Sequence, residues 1–277
     1  MNDAERFLEI YGTLETVCGA NPLRRLGISP HSLRAVTPEL LKAVLNGIEN
    51  DARVQIHVAE QTKEVDDCLA WSGKRPVEFL LDQFDVSSRW CAIHATHMTA
   101  GETERLAKSG AIAGLCPTTE ANLGDGIFSA DAFMKQGGAI AIGSDSQITI
   151  SPAEDLRMLE YSQRLRDRTR NALASGAGAS TGRSLLDAVL KGGAACLDQP
   201  MGAIAVGKRC DIAVLDDEHA TMTGREGDAA LDTWIYSAGN AAVKDVIVGG
   251  AHVVKDRRHI NEDRIKKKFS ETMRRLS

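Results

Sequence analysis

Five short apolar runs punctuate the chain: RRLGISPH, ARVQIHVAE, RWCAIHATH, GAIAGLCPTTE and GAIAIGSDS, each ending on a polar residue. Runs of this length, rich in β-branched or small residues and bounded by polar positions, predict buried strands. Between them the apolar spacing changes to three and four. The segments from Pro38 to Asn50, Lys63 to Ala70, Pro76 to Phe84 and Ala100 to Ser109 predict amphipathic helices, the first with proline in its opening turn. Strand and helix in alternation predict an α/β fold with a parallel sheet or barrel. Past Asp145 the pattern predicts one long helix from Pro152 to Leu173, a flexible SGAGAST loop and a second helix from Arg183 to Leu197. Beyond Pro200 the character changes. GAIAVGKRCDIAVLDD and DVIVGGAHVV are β-rich, the second broken at Gly249-Gly250 as a hairpin turn should be, and RIKKKFSETMRRLS predicts a solvated terminal helix. The expected division is a barrel-like part over residues 1–199 and a β appendage with a terminal helix over 200–277.

The polar residues that end the five runs are His31, His57, His94, Glu120 and Asp145, separated by 26, 37, 26 and 25 residues. Each step is about one strand-helix unit, and parallel strands bring their C-terminal ends to one face, so these groups are expected to meet. Alternation places Gln55, His57 and Ala59 on one face of the second run, so His57 and Glu60 share a site only if the strand stops near Ala59. A buried histidine or glutamate needs a partner, and a converging set of ionisable groups supplies one. His97 and Arg34 follow His94 and His31 by three residues and repeat the arrangement, whereas His219, His252 and His259 lie in the tail and are expected to be structural or exposed. A helix-capping role is the plain alternative for Asp145. Histidine and aspartate aimed at one pocket suit a catalytic zinc, which keeps one position open for water.

Composition narrows the function. With 43% hydrophobic and 26% charged residues the chain is ordinary globular material; a formal charge of -5 offers no field for nucleic acid, and no apolar run is long enough to span a membrane. The six cysteines form no CxxC pair, and MNDAERFLEI lacks the apolar core of a signal peptide, which points to a reducing cytoplasm and a small soluble substrate.

IHVAEQ, HATH, TEANLGDG and GSDS, in that order and followed by GAIAVGKRCDIAVLDD, resemble the amidohydrolase superfamily of metal-dependent barrels in its HxxE deaminase branch. PHSLRAVTPE, HVAEQTKEVDDCLAW and EANLGDGIF bring the resemblance closest to enzymes that hydrolyse N-formimino-L-glutamate to N-formyl-L-glutamate and ammonia during histidine breakdown. It extends from about Leu23 onward. The resemblance implies one zinc ion with His57 and Asp145 as ligands, Asp145 also accepting a proton from the attacking water. It makes Glu60 the proton shuttle and His94 the group that orients the water. His31 and Arg34 would hold a substrate carboxylate, Arg34 through its planar fork. Roles for Gln61, Glu120 and Asn122 are left open, and a homodimer is expected because the resembling enzymes often associate.

The chain departs from the family in one respect: it contains no His-x-His pair, which in the family completes the zinc site from the first strand. Five strand signals against eight imply the C-terminal part, about strands 4 to 8, of a TIM-like (β/α)8 barrel followed by a small β-sandwich segment. The expectation is therefore a portion of a longer protein, with weak zinc binding, exposed strand edges and the activity of this chain alone left open. Two other readings stand beside the first. One is a deaminase or hydrolase of ring amidines (guanine, cytosine or triazine type) using the same His57, Glu60, His94 and Asp145; the other is a non-catalytic fragment.

Overall fold

The structure, a computed structural model, describes residues 3–276. Its centre is a parallel sheet of β1 (Gly27–Ile28), β2 (Arg53–Val58), β3 (Trp90–His94), β4 (Ile112–Leu115) and β5 (Ala139–Ile142), in sequential order. Each strand follows its predecessor by way of helices: α1 (Ala4–Gly19) precedes β1, α2 (Pro38–Asn46) follows it, and α3 (Thr62–Ser72) with α4 (Pro76–Gln83) joins β2 to β3. Next come α5 (Ala100–Ser109), then α6 (Pro117–Leu123) with α7 (Ala130–Lys135). All four strand pairs are parallel, and each is joined by a helical crossover.

The sheet buries one face under these helices. Along β2, Val54, Ile56 and Val58 are fully enclosed, while Arg53, Gln55 and His57 alternate onto the other side. Each enclosed aliphatic side chain contributes about 1.5–3 kcal/mol of apolar burial, which fixes the register because a one-residue slip would expose all three. Register then carries the chemistry: Val58 lies opposite His94, and Ser32 bridges to His57. Helix boundaries follow local chemistry. Thr99 and Glu102 form a reciprocal capping box that opens α5, and the left-handed glycines Gly73, Gly110 and Gly124 close α3, α5 and α6.

Two long helices follow the sheet, α8 (Pro152–Asp167) and α9 (Thr181–Cys196). The sequence predicts α8 running to Leu173; it stops six residues earlier because Arg168 turns left-handed and buried Glu160 draws the amides of Ala172 and Leu173 into a loop. Helix α9 lies so close to β5 that a Cβ on Gly192 would come within 1.9 Å of the Ile140 carbonyl oxygen.

The C-terminal region forms a separate four-stranded antiparallel sheet of β6 (Ile212–Leu215), β7 (Val243–Val248), β8 (Ala251–Lys255) and β9 (Arg258–His259). Gly249 and Gly250, both with positive φ, make the predicted hairpin turn between β7 and β8. The GAIAVG part of the first β-rich stretch forms turns instead, leaving Ile204 and Val206 exposed. Helix α10 (Gly227–Thr233) and a π turn at Trp234–Ala238 return to pack on α8 and α9, burying Trp234 and Ile235. The terminal helix α11 (Glu262–Leu276) buries no side chain. Among the described residues no helix is long and apolar enough to cross a membrane, and all six cysteines are free thiols.

Candidate active site

The residues singled out at the strand ends do converge. β2 stops at Val58, and Ala59 adopts a left-handed backbone (φ 50°), which swings Glu60 back above the sheet beside His57. The turn is held from behind. Glu64, buried in the first turn of α3, accepts the Ala59 and Glu60 amides through its two oxygens at 3.0 and 2.9 Å. His31, His94, Ala95 and Asp145 share the same uncommon conformation (φ 42°, 66°, 49° and 45°). Each such non-glycine residue costs about 1–2 kcal/mol, and strain of this kind concentrates at sites where side-chain direction matters.

Three imidazoles stand in a row, with His31 to His57 centroids 5.1 Å apart and His57 to His94 5.4 Å apart. His57 Nδ1 lies 2.9 Å from the His31 carbonyl, which can only accept, so Nδ1 carries a proton and donates it there. His94 is fully buried. Its Nδ1 faces the Glu120 carboxylate at 3.3 Å, while its Nε2 has no hydrogen-bond partner and stands 3.6 Å from Glu60 and 3.9 Å from Asp145. Burial alone would lower the His94 pKa; the Glu120 hydrogen bond and the charges of Glu120, Glu60 and Asp145 outweigh it and hold the ring above its ordinary value. Glu60 behaves in the opposite sense. Burial would raise its pKa, but the Arg34 hydrogen bond, with the charges of His94, Arg34 and His57, keeps its carboxyl below the usual range.

Arg34 Nη2 donates to Glu60 at 2.6 Å, and Arg34 Nε lies 3.8 Å from Glu64. The residue expected to meet a substrate carboxylate is thus paired with a carboxylate of the protein. His97 sits apart from the cluster, bonded to the Asp125 carbonyl at 2.6 Å, where it props the loop that carries Gly126. Gln61 also reaches Asp125, at 3.0 Å. One support escaped sequence reasoning, Glu64, whose signal was its place four residues after Glu60; Glu120, expected at the strand ends with its role open, backs His94 and also accepts the Cys116 amide at 2.9 Å.

The donor set fits a cation. A partnerless imidazole nitrogen on His94 stands 3.6 and 3.9 Å from the Glu60 and Asp145 carboxylates, with the His57 ring beside it. Nitrogen and oxygen in this mixture match zinc, and the Nδ1 contacts to a carbonyl and a carboxylate are the outer-shell pattern that orients metal-facing histidines. Another trio of donor atoms, on His94, Cys116 and Glu120, lies within 4.8 Å. It is a poorer metal site, because Glu120 is already engaged and burial pushes the Cys116 thiol well above its ordinary value.

A parallel α/β sheet gathers histidine, aspartate and glutamate at its strand ends, and residues 11–253 match the amidohydrolase family. The chain belongs to that family. It is 48% identical to formimidoylglutamate deiminase of Pseudomonas aeruginosa over 276 residues, covering all of this chain and 61% of the relative. Among solved structures it resembles an amidohydrolase from Brucella melitensis (TM-score 0.91, 47% identity, 99% of this chain and 60% of that one). It shares the fold of a zinc-bound adenosine deaminase from Xanthomonas campestris (TM-score 0.85, 24% identity, 98% of this chain and 62% of that one). The chain therefore spans about three fifths of the length of the relatives it matches.

Proposed function

We propose that this chain carries the catalytic half of a deiminase that hydrolyses N-formimino-L-glutamate to N-formyl-L-glutamate and ammonia. The observation that carries the reading is the convergence of His57, Glu60, His94 and Asp145 at the strand ends of a chain 48% identical to a formimidoylglutamate deiminase. The five parallel strands correspond in this reading to about strands 4 to 8 of a (β/α)8 barrel over residues 1–199, and the antiparallel sheet in residues 200–277 to one layer of a small β-sandwich. A cytoplasmic setting accords with six free thiols.

His57 Nε2 and the Asp145 carboxylate would hold one zinc ion. When bound, zinc supplies Lewis acidity that lets water attack near neutral pH. The chain's own groups do the rest. Asp145 accepts the first proton from water, Glu60 Oε1 carries it to the departing nitrogen, and His94 Nε2 points at the reacting centre and steadies the charge that develops there. Arg34 exchanges partners: a substrate carboxylate competes with Glu60 for its guanidinium, with His31 beside it. Arrival of an acidic substrate thereby frees Glu60 to move protons.

The family's His-x-His pair is not among these 277 residues, so this chain contributes two zinc ligands. The test is zinc content by plasma emission spectroscopy on the monodisperse protein, together with ammonia release from N-formimino-L-glutamate, guanine, cytosine and adenosine. Ammonia from the formimino substrate alone is the expected result. Preference for a neutral ring would overturn the assignment, and sub-stoichiometric zinc without ammonia from any substrate would favour a non-catalytic part of a larger barrel.

A further inference from the structure

On the sheet face that carries Gln55, towards the strand starts and away from the strand-end histidines, two cysteines from distant parts of the chain come together. Cys91 is the second residue of β3 and the register partner of Gln55 on β2, and Cys196 is the last residue of α9, which packs on β5. They share a small apolar cluster with Ile112 and Ala141. The Cys91 sulfur occupies space that a side chain at Gly114 would fill, since a Cβ there would lie 2.8 Å from it. Gln55 Nε2 donates to the Cys196 sulfur at 3.4 Å. Cys196 also lines an open cleft of about 210 Å³ with Arg25, Arg53 and Gln55, so a small polar oxidant can reach it from solvent.

We propose that Cys91 and Cys196 form a peroxide-responsive pair in which Cys196 is the attacking thiol, Cys91 resolves it, and the product is an intrachain disulfide tying α9 to β3. The balance is closed. The Cys196 thiol gives up its proton and its sulfur attacks one oxygen of a hydroperoxide, the O–O bond breaks, and a sulfenic acid forms while the departing hydroxide (or alkoxide) takes that proton and leaves as water (or an alcohol). The Cys91 sulfur then attacks the sulfenic sulfur, the S–O bond breaks, and its thiol proton leaves with the hydroxide as water. Two thiols are oxidised and one peroxide is reduced.

The electrostatics assign the order of attack. The neighbouring Cys91 thiol holds Cys196 below its ordinary pKa against the opposing effect of burial, helped by the hydrogen bond from Gln55 and the charge of Arg53. The neighbouring Cys196 and burial push Cys91 up. Burial pushes Cys68 and Cys116 up as well, and neither stands against another cysteine in this way. Cys210 is exposed and serves as an internal reference.

The decisive experiment treats the native chain with a few equivalents of hydrogen peroxide, quenches with iodoacetamide without reductant, and maps cysteines by mass spectrometry of the intact chain and its peptides. Joint loss of Cys91 and Cys196 from the alkylated pool is expected, with a mass lower by two hydrogens that dithiothreitol restores. Oxidation of the pair should run at least about tenfold faster than loss of Cys68 or Cys116. In Cys91→Ser, Cys196 should accumulate as a dimedone-reactive sulfenic acid; in Cys196→Ser, Cys91 should remain reduced. Oxidation of Cys210 while the pair stays alkylatable, or independent over-oxidation of the two cysteines without a crosslink, would overturn the proposal, and the wild-type map decides even if a variant fails to fold.

Discussion

At the scale of single residues, the site depends as much on the groups behind it as on those facing the cleft. Glu120 fixes the His94 ring from the far side, so Glu120→Gln should lower kcat of a zinc-loaded, active preparation by about 10–100-fold with KM little changed. A change confined to KM would instead make Glu120 a substrate contact. Asp155 offers a test away from the site. Burial pushes its carboxyl up and the two hydrogen bonds from Thr118, at 3.2 and 2.8 Å, offset this only in part. A raised folded-state pKa means the folded protein binds this proton more tightly than the unfolded chain does, so the ionised group works against folding at neutral pH and that cost disappears as pH falls through the raised value. Asp155→Asn keeps the acceptor for Thr118 and should stabilise by about 1 kcal/mol at pH 7, an advantage that shrinks on acidification in paired urea titrations. A gap that widens toward low pH would refute this.

At the scale of elements, what was legible in the sequence was local and what was missed was tertiary. The β2 run shows its own end, because Glu60 and His57 cannot share a face unless the strand stops near Ala59, and the left-handed Ala59 is where it stops. The end of α8 was not readable: arginines and apolar residues keep helical spacing past Arg168, and only the distant grip of Glu160 on the next loop explains the stop. Arg168 sits exposed in a left-handed cap where glycine is at ease, so Arg168→Gly should add about 0.5–1 kcal/mol and raise Tm by roughly 1–4 °C, measurable by calorimetry. Gly192 marks the opposite case. A methyl group there meets the Ile140 backbone at 1.9 Å, and Gly192→Ala should cost at least about 3 kcal/mol or prevent folding; a soluble variant of unchanged Tm would mean α9 can shift away from β5.

At the scale of the whole molecule, convergence of His31, His57, His94, Glu120 and Asp145 was legible because parallel strands deliver their C-terminal ends to one side, however far apart the residues lie in sequence. The pairing of Arg34 with Glu60 and the meeting of Cys91 with Cys196 were not, since both depend on how loops and helices settle over the sheet. If His57 and Asp145 hold zinc, added zinc should stabilise the folded chain by up to about 3 kcal/mol at 100 times its dissociation constant, and His57→Ala or Asp145→Asn should abolish the rise in Tm. No rise in the parent chain would mean that two ligands bind the ion too weakly to count. The His31 carbonyl oxygen has a wider consequence, because it receives both the backbone amide of His57, at 2.7 Å, and the His57 ring nitrogen, at 2.9 Å. One atom therefore gauges two things at once. Sliding the first loop against the second strand by a single residue would turn the imidazole and reassign its proton in the same movement, so errors of assembly in this sheet announce themselves as errors of chemistry.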